Sequence, residues 1–159
     1  IDQAYEKKMK IIMNPSPFDD KLNTCDLGKI YLFLLNEIEG EQITGYKDKD
    51  QILYAMAEKF PNARFVLTLG SDGAVYYDGK EKVFQDIFEV KAVDTTAAGD
   101  TFTGYFIAAV IEDRSVQEAL RMAAKASSIA VSRPGATPSI PAMDEVKGKL
   151  GMQDFNKTE

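Results

Sequence analysis

Ile30-Tyr31-Leu32-Phe33-Leu34-Leu35-Asn36 is a nearly unbroken apolar run. It lacks the alternation of a half-solvated strand, so it reads as a strand buried on both faces of a parallel sheet, with Asn36 at its C-terminal end. Arg64-Phe65-Val66-Leu67-Thr68-Leu69 repeats the pattern and runs into Gly70-Ser71-Asp72-Gly73, a turn that needs flexible backbone. Between them, Gln51 to Phe60 places Ile52, Leu53, Ala55, Met56 and Phe60 on one helical stripe. Strand, helix, strand in this order predicts a layered α/β fold, in which ligands gather beyond the strand C-termini. Asn14, Asn36, Gly70 and Asp94 are expected there.

Working outward, Lys10-Ile11-Ile12-Met13 is a short strand that ends at Asn14-Pro15-Ser16-Pro17, where two prolines favour an extended loop. Ala74 to Tyr77 and Lys82 to Gln85, separated by Asp78-Gly79, predict a hairpin. A further strand is expected to end near Val93. Thr101 to Ile111 has helical spacing, Ser115-Val116-Gln117-Glu118 is a capping box opening an Ala/Ser-rich helix, and Met143 to Leu150 is a last helix. No repeat, low-complexity tract or linker interrupts the chain, so one α/β domain is expected over residues 1–159.

Composition narrows the chemistry. A chain of 159 residues, 45% hydrophobic and 28% charged, suits a soluble domain with a sizeable core. Its longest apolar runs fall short of the roughly 18–20 residues of a membrane helix. A net charge of −6 without a basic face argues against nucleic acid and anionic membranes as partners and favours a small molecule. The single cysteine, Cys25, rules out an intrachain disulfide, fits a reducing cytoplasm and is expected to be half-buried. Histidine is absent altogether, which removes Ser-His-Asp and Cys-His catalysis and the usual zinc sites. Carboxylate, lysine and backbone chemistry remain, and phosphoryl transfer needs little else. The chain opens at Ile1 on what reads as a helix already under way, without an initiating Met, so a preceding N-terminal part is expected.

The segment richest in chemistry is Asp94-Thr95-Thr96-Ala97-Ala98-Gly99-Asp100-Thr101-Phe102. Small residues at a helix start leave bare amides that, with the positive end of the helix dipole, favour a phosphate. Asp100 in the first turn would then sit where it can take a proton from an attacking hydroxyl. An Asp in a first turn is also favoured by the dipole alone, and small residues are common in turns. Asn36 and Glu39, three residues apart at a helix start, share a face that could hold magnesium or its waters, and are equally good capping residues. The Gly70 to Gly73 turn could cradle a nucleotide or be only a turn. G-x-x-x-x-G-K-[ST] is absent, which excludes a P-loop kinase.

Taken in order, four segments resemble the ribokinase, or phosphofructokinase-B type, carbohydrate kinase family. They are Asn36-Glu37-Ile38-Glu39 (the family's N-x-x-E), Thr68 to Gly73 (its nucleotide turn), Asp94 to Gly104 (its C-terminal signature) and Ser132 to Ser139 (its closing loop). The match extends to about Val146. The resemblance implies a ribokinase-like layered fold, a mostly parallel sheet flanked by helices, and ATP-dependent phosphorylation of a sugar hydroxyl, with ribose the first choice. It implies that Asp100 is the general base and that the Ala98, Gly99 and Asp100 amides form an anion hole. By the same resemblance Asn36, Thr68, Gly70, Ser71 and Gly73 contact ATP, Ala124 lines the adenine pocket and Glu39 acts on magnesium. The resemblance also implies that Asp94, Thr96, Ala130, Arg133, Gly135 and Ser139 form a monovalent cation site for potassium, largely through backbone carbonyls; Arg133 is equally a helix C-terminal cation. The family's substrate-binding half, with its glycine-glycine motif and small β lid, does not appear in these residues. A nucleoside or other small-alcohol kinase of the same fold, or an inactive nucleotide-binding fragment, are the alternatives, and a homodimer is a candidate oligomer.

Overall fold

The computed structural model describes residues 1–150, which form two compact units, one of residues Ile1–Phe84 and one from Gln85 onward. In the first unit, helix α1 (Asp2–Glu6) precedes strands β1 (Ile12–Met13), β2 (Leu32–Asn36), β3 (Arg64–Thr68), β4 (Ala74–Tyr77) and β5 (Lys82–Gln85), which lie in the sheet in that order. β1, β2 and β3 are parallel, with Phe33 opposite Phe65 and Asn36 opposite Thr68, and β4 runs antiparallel to β3. The expected mostly parallel sheet is therefore present. Asp78 closes the β4–β5 hairpin by accepting the Lys80 and Glu81 amides on Oδ1, beside Gly79 at φ +89°.

Both faces of the central strands are buried, as the continuous apolar runs require. Phe33, Leu35, Phe65, Leu67 and Val75 belong to one cluster with Ile52, Leu53 and Met56 of helix α3 (Lys49–Lys59), while Leu32, Leu34, Val66 and Tyr76 are buried on the opposite face. Phe33 stacks on both Phe60 and Phe65. Helix α3 starts two residues earlier than expected because Asp48 caps it, accepting the Asp50 and Gln51 amides. Helix α2 (Glu37–Thr44) ends at Gly45, whose φ of +79° suits a left-handed C-cap. Cys25 is exposed, not half-buried, because it closes a surface 3₁₀ turn (Asp20–Thr24).

Gly40 of α2 marks a close approach: a Cβ there would lie 2.8 Å from Cγ2 of the fully buried Ile52. Ile52 has no room to yield. Overpacking of this kind costs about 1–3 kcal/mol and outweighs the helix-propensity gain of up to about 1 kcal/mol. Gly40→Ala should therefore lower the denaturant midpoint at unchanged m-value.

The second unit is helical. Helix α4 (Ala98–Ile111) buries Thr101, Phe102, Tyr105, Phe106 and Ala109 along one stripe and packs on helix α5 (Val116–Val131). α5 begins at the expected capping box, with Ser115 and Glu118 bonded reciprocally. Its buried face is lined by Ala119, Ala123, Ala126 and Ala130, small enough for close helix packing. Helix α6 (Met143–Leu150) closes the unit. The strand expected to end near Val93 is not formed: residues 86–97 carry no strand. Ile87, Val90 and Val93 are exposed, and the Val93 and Asp94 amides bond to the Val131 carbonyl at the end of α5 instead of to a neighbouring strand. Asp94 is thus placed by a helix end, not by a sheet. Among the described residues no helix is long and apolar enough to cross a membrane.

Candidate functional site

In the first unit, Asn36 and Thr68 are register partners at the C-terminal ends of two parallel strands. Asn36 is also the N-cap of α2. Its Oδ1 accepts the Glu39 amide at 3.0 Å, while its own amide and Nδ2 donate to the two Glu39 carboxylate oxygens at 2.9 and 3.1 Å. Glu39 is only 4% exposed, so its buried carboxylate is held by two of these bonds, one on each oxygen and both donated by Asn36. The turn after β3 follows from its glycines: Gly70 and Gly73 adopt φ of +57° and +91°, which other residues reach only at a cost. The Leu69 amide donates to the Gly73 carbonyl, and Ser71 Oγ donates to Asp72 Oδ1. Gly70, Ser71 and Asp72 are exposed.

In the second unit, the loop before α4 is organised by Asp94. Its Oδ1 accepts the Thr96 amide and its Oδ2 the Gly135 amide, both at 2.9 Å. Bonds from the Thr96 hydroxyl, the Thr96 amide and the Gly135 amide, in that order of weight, hold this carboxyl below its usual range. One side chain therefore ties the turn at 94–97 to the loop at 133–139. Ala97, the N-cap of α4, sits in the left-handed region at φ 60°, an uncommon choice for a residue with a Cβ. No side chain among the described residues caps α4. The Ala98 amide reaches the Thr95 carbonyl and the Thr101 amide the Ala97 carbonyl; the Gly99 and Asp100 amides between them have no partner among the described residues. Gly99 and Asp100 are both exposed, and the Asp100 side chain makes no hydrogen bond or ion pair there. The result is two free amides and a free carboxylate on consecutive residues at the positive end of a 14-residue helix.

The closing loop is held on several sides. The Arg133 guanidinium pairs with Glu145 of α6, so it is engaged by a carboxylate and not by the helix end alone. Ser139 is fully buried and donates to the Ala136 carbonyl at 2.7 Å. The Ala130 carbonyl accepts the Ser132 and Arg133 amides. Ala124 is half-buried on α5, and the adjacent Lys125 ammonium lies 4.6 Å from the Phe88 ring centroid. No group of three or more cysteine, aspartate or glutamate side chains converges on a metal position among the described residues.

Three residues that shape this site carry no local sequence signal. Ser127 Oγ donates to the Ala98 carbonyl at 3.1 Å, fastening α5 to the first residue of α4. Tyr105 OH donates to the Pro141 carbonyl at 2.6 Å, tying α4 to the segment before α6. Glu145 accepts from Arg133 and, at 3.0 Å, from Lys149. Thr101 Oγ1, beside Asp100, is buried without a hydrogen-bond partner among the described residues.

Residues 1–143 match the pfkB family of carbohydrate kinases. A ribokinase of Lactococcus lactis is 32% identical over 95% of this chain and 48% of its own length. A ribokinase of Haemophilus influenzae is 35% identical over 89% of this chain and 47% of its own. Among solved structures, the Arabidopsis thaliana ribokinase complexed with ribose and ATP superposes with a TM-score of 0.81 at 31% identity, covering 96% of this chain and 51% of that one. The chain spans about half the length of the curated relatives it matches.

Proposed function

The chain belongs to the pfkB family of carbohydrate kinases, and from that premise we propose that it forms the nucleotide-handling part of an ATP-dependent sugar kinase in which Asp100 is the general base. The observation that carries the reading is the start of α4, where the unpaired Gly99 and Asp100 amides adjoin the unpaired Asp100 carboxylate. Free amides on a helix dipole stabilise negative charge that grows on a transferring phosphoryl group, and they need no reorganisation as it grows. A carboxylate one residue further on can take the proton of an attacking hydroxyl. Ala98 completes the small-residue approach, although its own amide is turned to Thr95. The solved relative that holds ribose and ATP supports ribose as the first sugar to test. The family match crosses both units, which supports reading residues 1–159 as one domain. The unpaired Cys25 is compatible with a reducing cytoplasm.

Asn36, Thr68, Gly70, Ser71 and Gly73 keep their assignment to the nucleotide, and Ala124 to the adenine. The donor sets fit the two cations of this reading in type, since all are hard oxygen ligands. Glu39 accepts one hydrogen bond from Asn36 on each carboxylate oxygen, which leaves lone pairs for magnesium-bound water. Asp94, Thr96, Ala130, Arg133, Gly135 and Ser139 would hold potassium, with Asp94 the one anionic member. Magnesium bound to the phosphates would supply charge neutralisation during transfer.

The test is calorimetric titration of the chain with a non-hydrolysable ATP analogue and magnesium, with and without potassium. Saturable binding, strengthened by potassium and weakened in Asp94→Ala, is expected. No binding by a chain whose circular dichroism shows it folded would overturn the reading in favour of an inactive remnant.

A further inference from the structure

The closing loop is fastened at two points two residues apart. The Gly135 amide is held by Asp94, which also fixes the turn leading into α4, while the Arg133 side chain is held by Glu145 on α6. Glu145 is itself braced by Lys149 one turn further along the helix. A second brace, Tyr105 to the Pro141 carbonyl, links α4 to the segment from which α6 starts. Between these anchors Pro134, Gly135, Ala136, Thr137 and Pro138 are exposed, Gly135 takes a φ of +85°, and the remaining order comes from a 3₁₀ turn (Thr137–Ser139) in which the buried Ser139 bonds back to the Ala136 carbonyl. Such segments open locally unless a few contacts hold them.

We propose that Glu145 is a positioning residue: by holding the Arg133 side chain against α6 it keeps the 133–139 loop in the arrangement in which the Gly135 amide reaches Asp94. This goes beyond the proposed function and rests on it only for what the loop is positioned to hold. The backbone carbonyls of Arg133 and Gly135 and the Asp94 carboxylate all belong to the candidate cation site. With the Arg133 guanidinium committed to α6, its carbonyl, not its charge, is what the residue offers to a cation, and the Glu145 carboxylate offsets part of the repulsion a free guanidinium would add. Loss of Glu145 releases a positive charge and loosens the start of the loop together, and both act against cation binding.

The experiment compares the unsubstituted chain with Glu145→Gln, Glu145→Asp, Arg133→Gln and the double variant Arg133→Gln/Glu145→Gln. Two readouts are taken: amide hydrogen exchange followed residue by residue, and thermal stabilisation by potassium chloride against tetramethylammonium chloride at constant ionic strength. The Gly135 amide in Glu145→Gln is expected to exchange about tenfold faster, the scale of one lost charge-assisted hydrogen bond, while amides in the middle of α4 keep their protection. Arg133→Gln should match it, the double variant should add nothing, and Glu145→Asp should restore part of the protection. The potassium concentration for half-maximal stabilisation should rise by a similar factor in Glu145→Gln. Equal Gly135 protection in all five proteins overturns the proposal, and so does loss of protection throughout α4, which would make Glu145 a general stability residue. A chain that ignores potassium but loses Gly135 protection in Glu145→Gln upholds the positioning role and sinks the cation reading instead.

Discussion

Asp100→Asn is expected to reduce sugar phosphorylation by roughly 10²–10⁴-fold, the usual worth of a positioned general base, while leaving nucleotide binding nearly intact or slightly tighter. Asparagine matches aspartate in shape and keeps the backbone amides, so nothing in the anion-binding turn is removed. What disappears is the only group at the start of α4 that can accept a proton: Asp100 is exposed and unpaired, and the other residues from Ala97 to Phe102 offer alanine, glycine, threonine and phenylalanine side chains. A negative charge next to a polyphosphate is unfavourable to binding, which is why affinity should not fall. The structural cost is small, because an acidic residue in an exposed first turn is worth about 0.3–1 kcal/mol to the helix. Steady-state kinetics on a sugar panel and calorimetry with an ATP analogue check both halves. Turnover within a few-fold of the unsubstituted protein would remove Asp100 from the chemistry and leave its first-turn position explained by the dipole alone.

What the sequence revealed and what it hid follow a physical division. β2 and β3 were legible because a continuous apolar run has few alternatives to burial on both sides, and Phe33, Leu34, Phe65 and Val66 are indeed all buried. The hairpin and the α5 N-terminus were legible because Asp78-Gly79 and Ser115 to Glu118 make their own bonds locally. The strand into Val93 failed because an apolar segment carries no information on whether a ladder partner is at hand; here the Val131 carbonyl takes the amides instead. Residue types at the candidate site were legible for the same local reason, yet their connections were not. Asp94 meets Gly135 across 41 residues, Ser127 meets Ala98 across 29, and Arg133 meets Glu145 across 12. Glu39 shows a subtler limit. Its i, i+3 spacing from Asn36 announces the capping box, but only the fold shows that the carboxylate is buried and already shared with Asn36 on both oxygens.

Gly99 gives the sharpest separation of fold from function. Gly70 and Gly73 are glycines because their backbone angles demand it. Gly99 lies in α4 without a positive φ, and a Cβ built on it would meet nothing within 4 Å. The fold therefore gives no reason for a residue that weakens a helix and enlarges the entropy of the unfolded chain. The reason left is what approaches from outside, since a methyl group there would add bulk beside the unpaired Gly99 and Asp100 amides. Gly99→Ala should accordingly move stability and binding in opposite directions. The protein should gain about 0.4–1 kcal/mol from the stiffer chain, read as a small rise in thermal midpoint. Affinity for the ATP analogue should fall about tenfold or more, the worth of one charge-assisted bond weakened to a phosphate oxygen. A binding defect accompanied by lower stability would have pointed to a packing role, which the open space around Gly99 already argues against. Higher stability with unchanged affinity would mean that no anion meets these amides, and the start of α4 would lose its claim to the phosphoryl group.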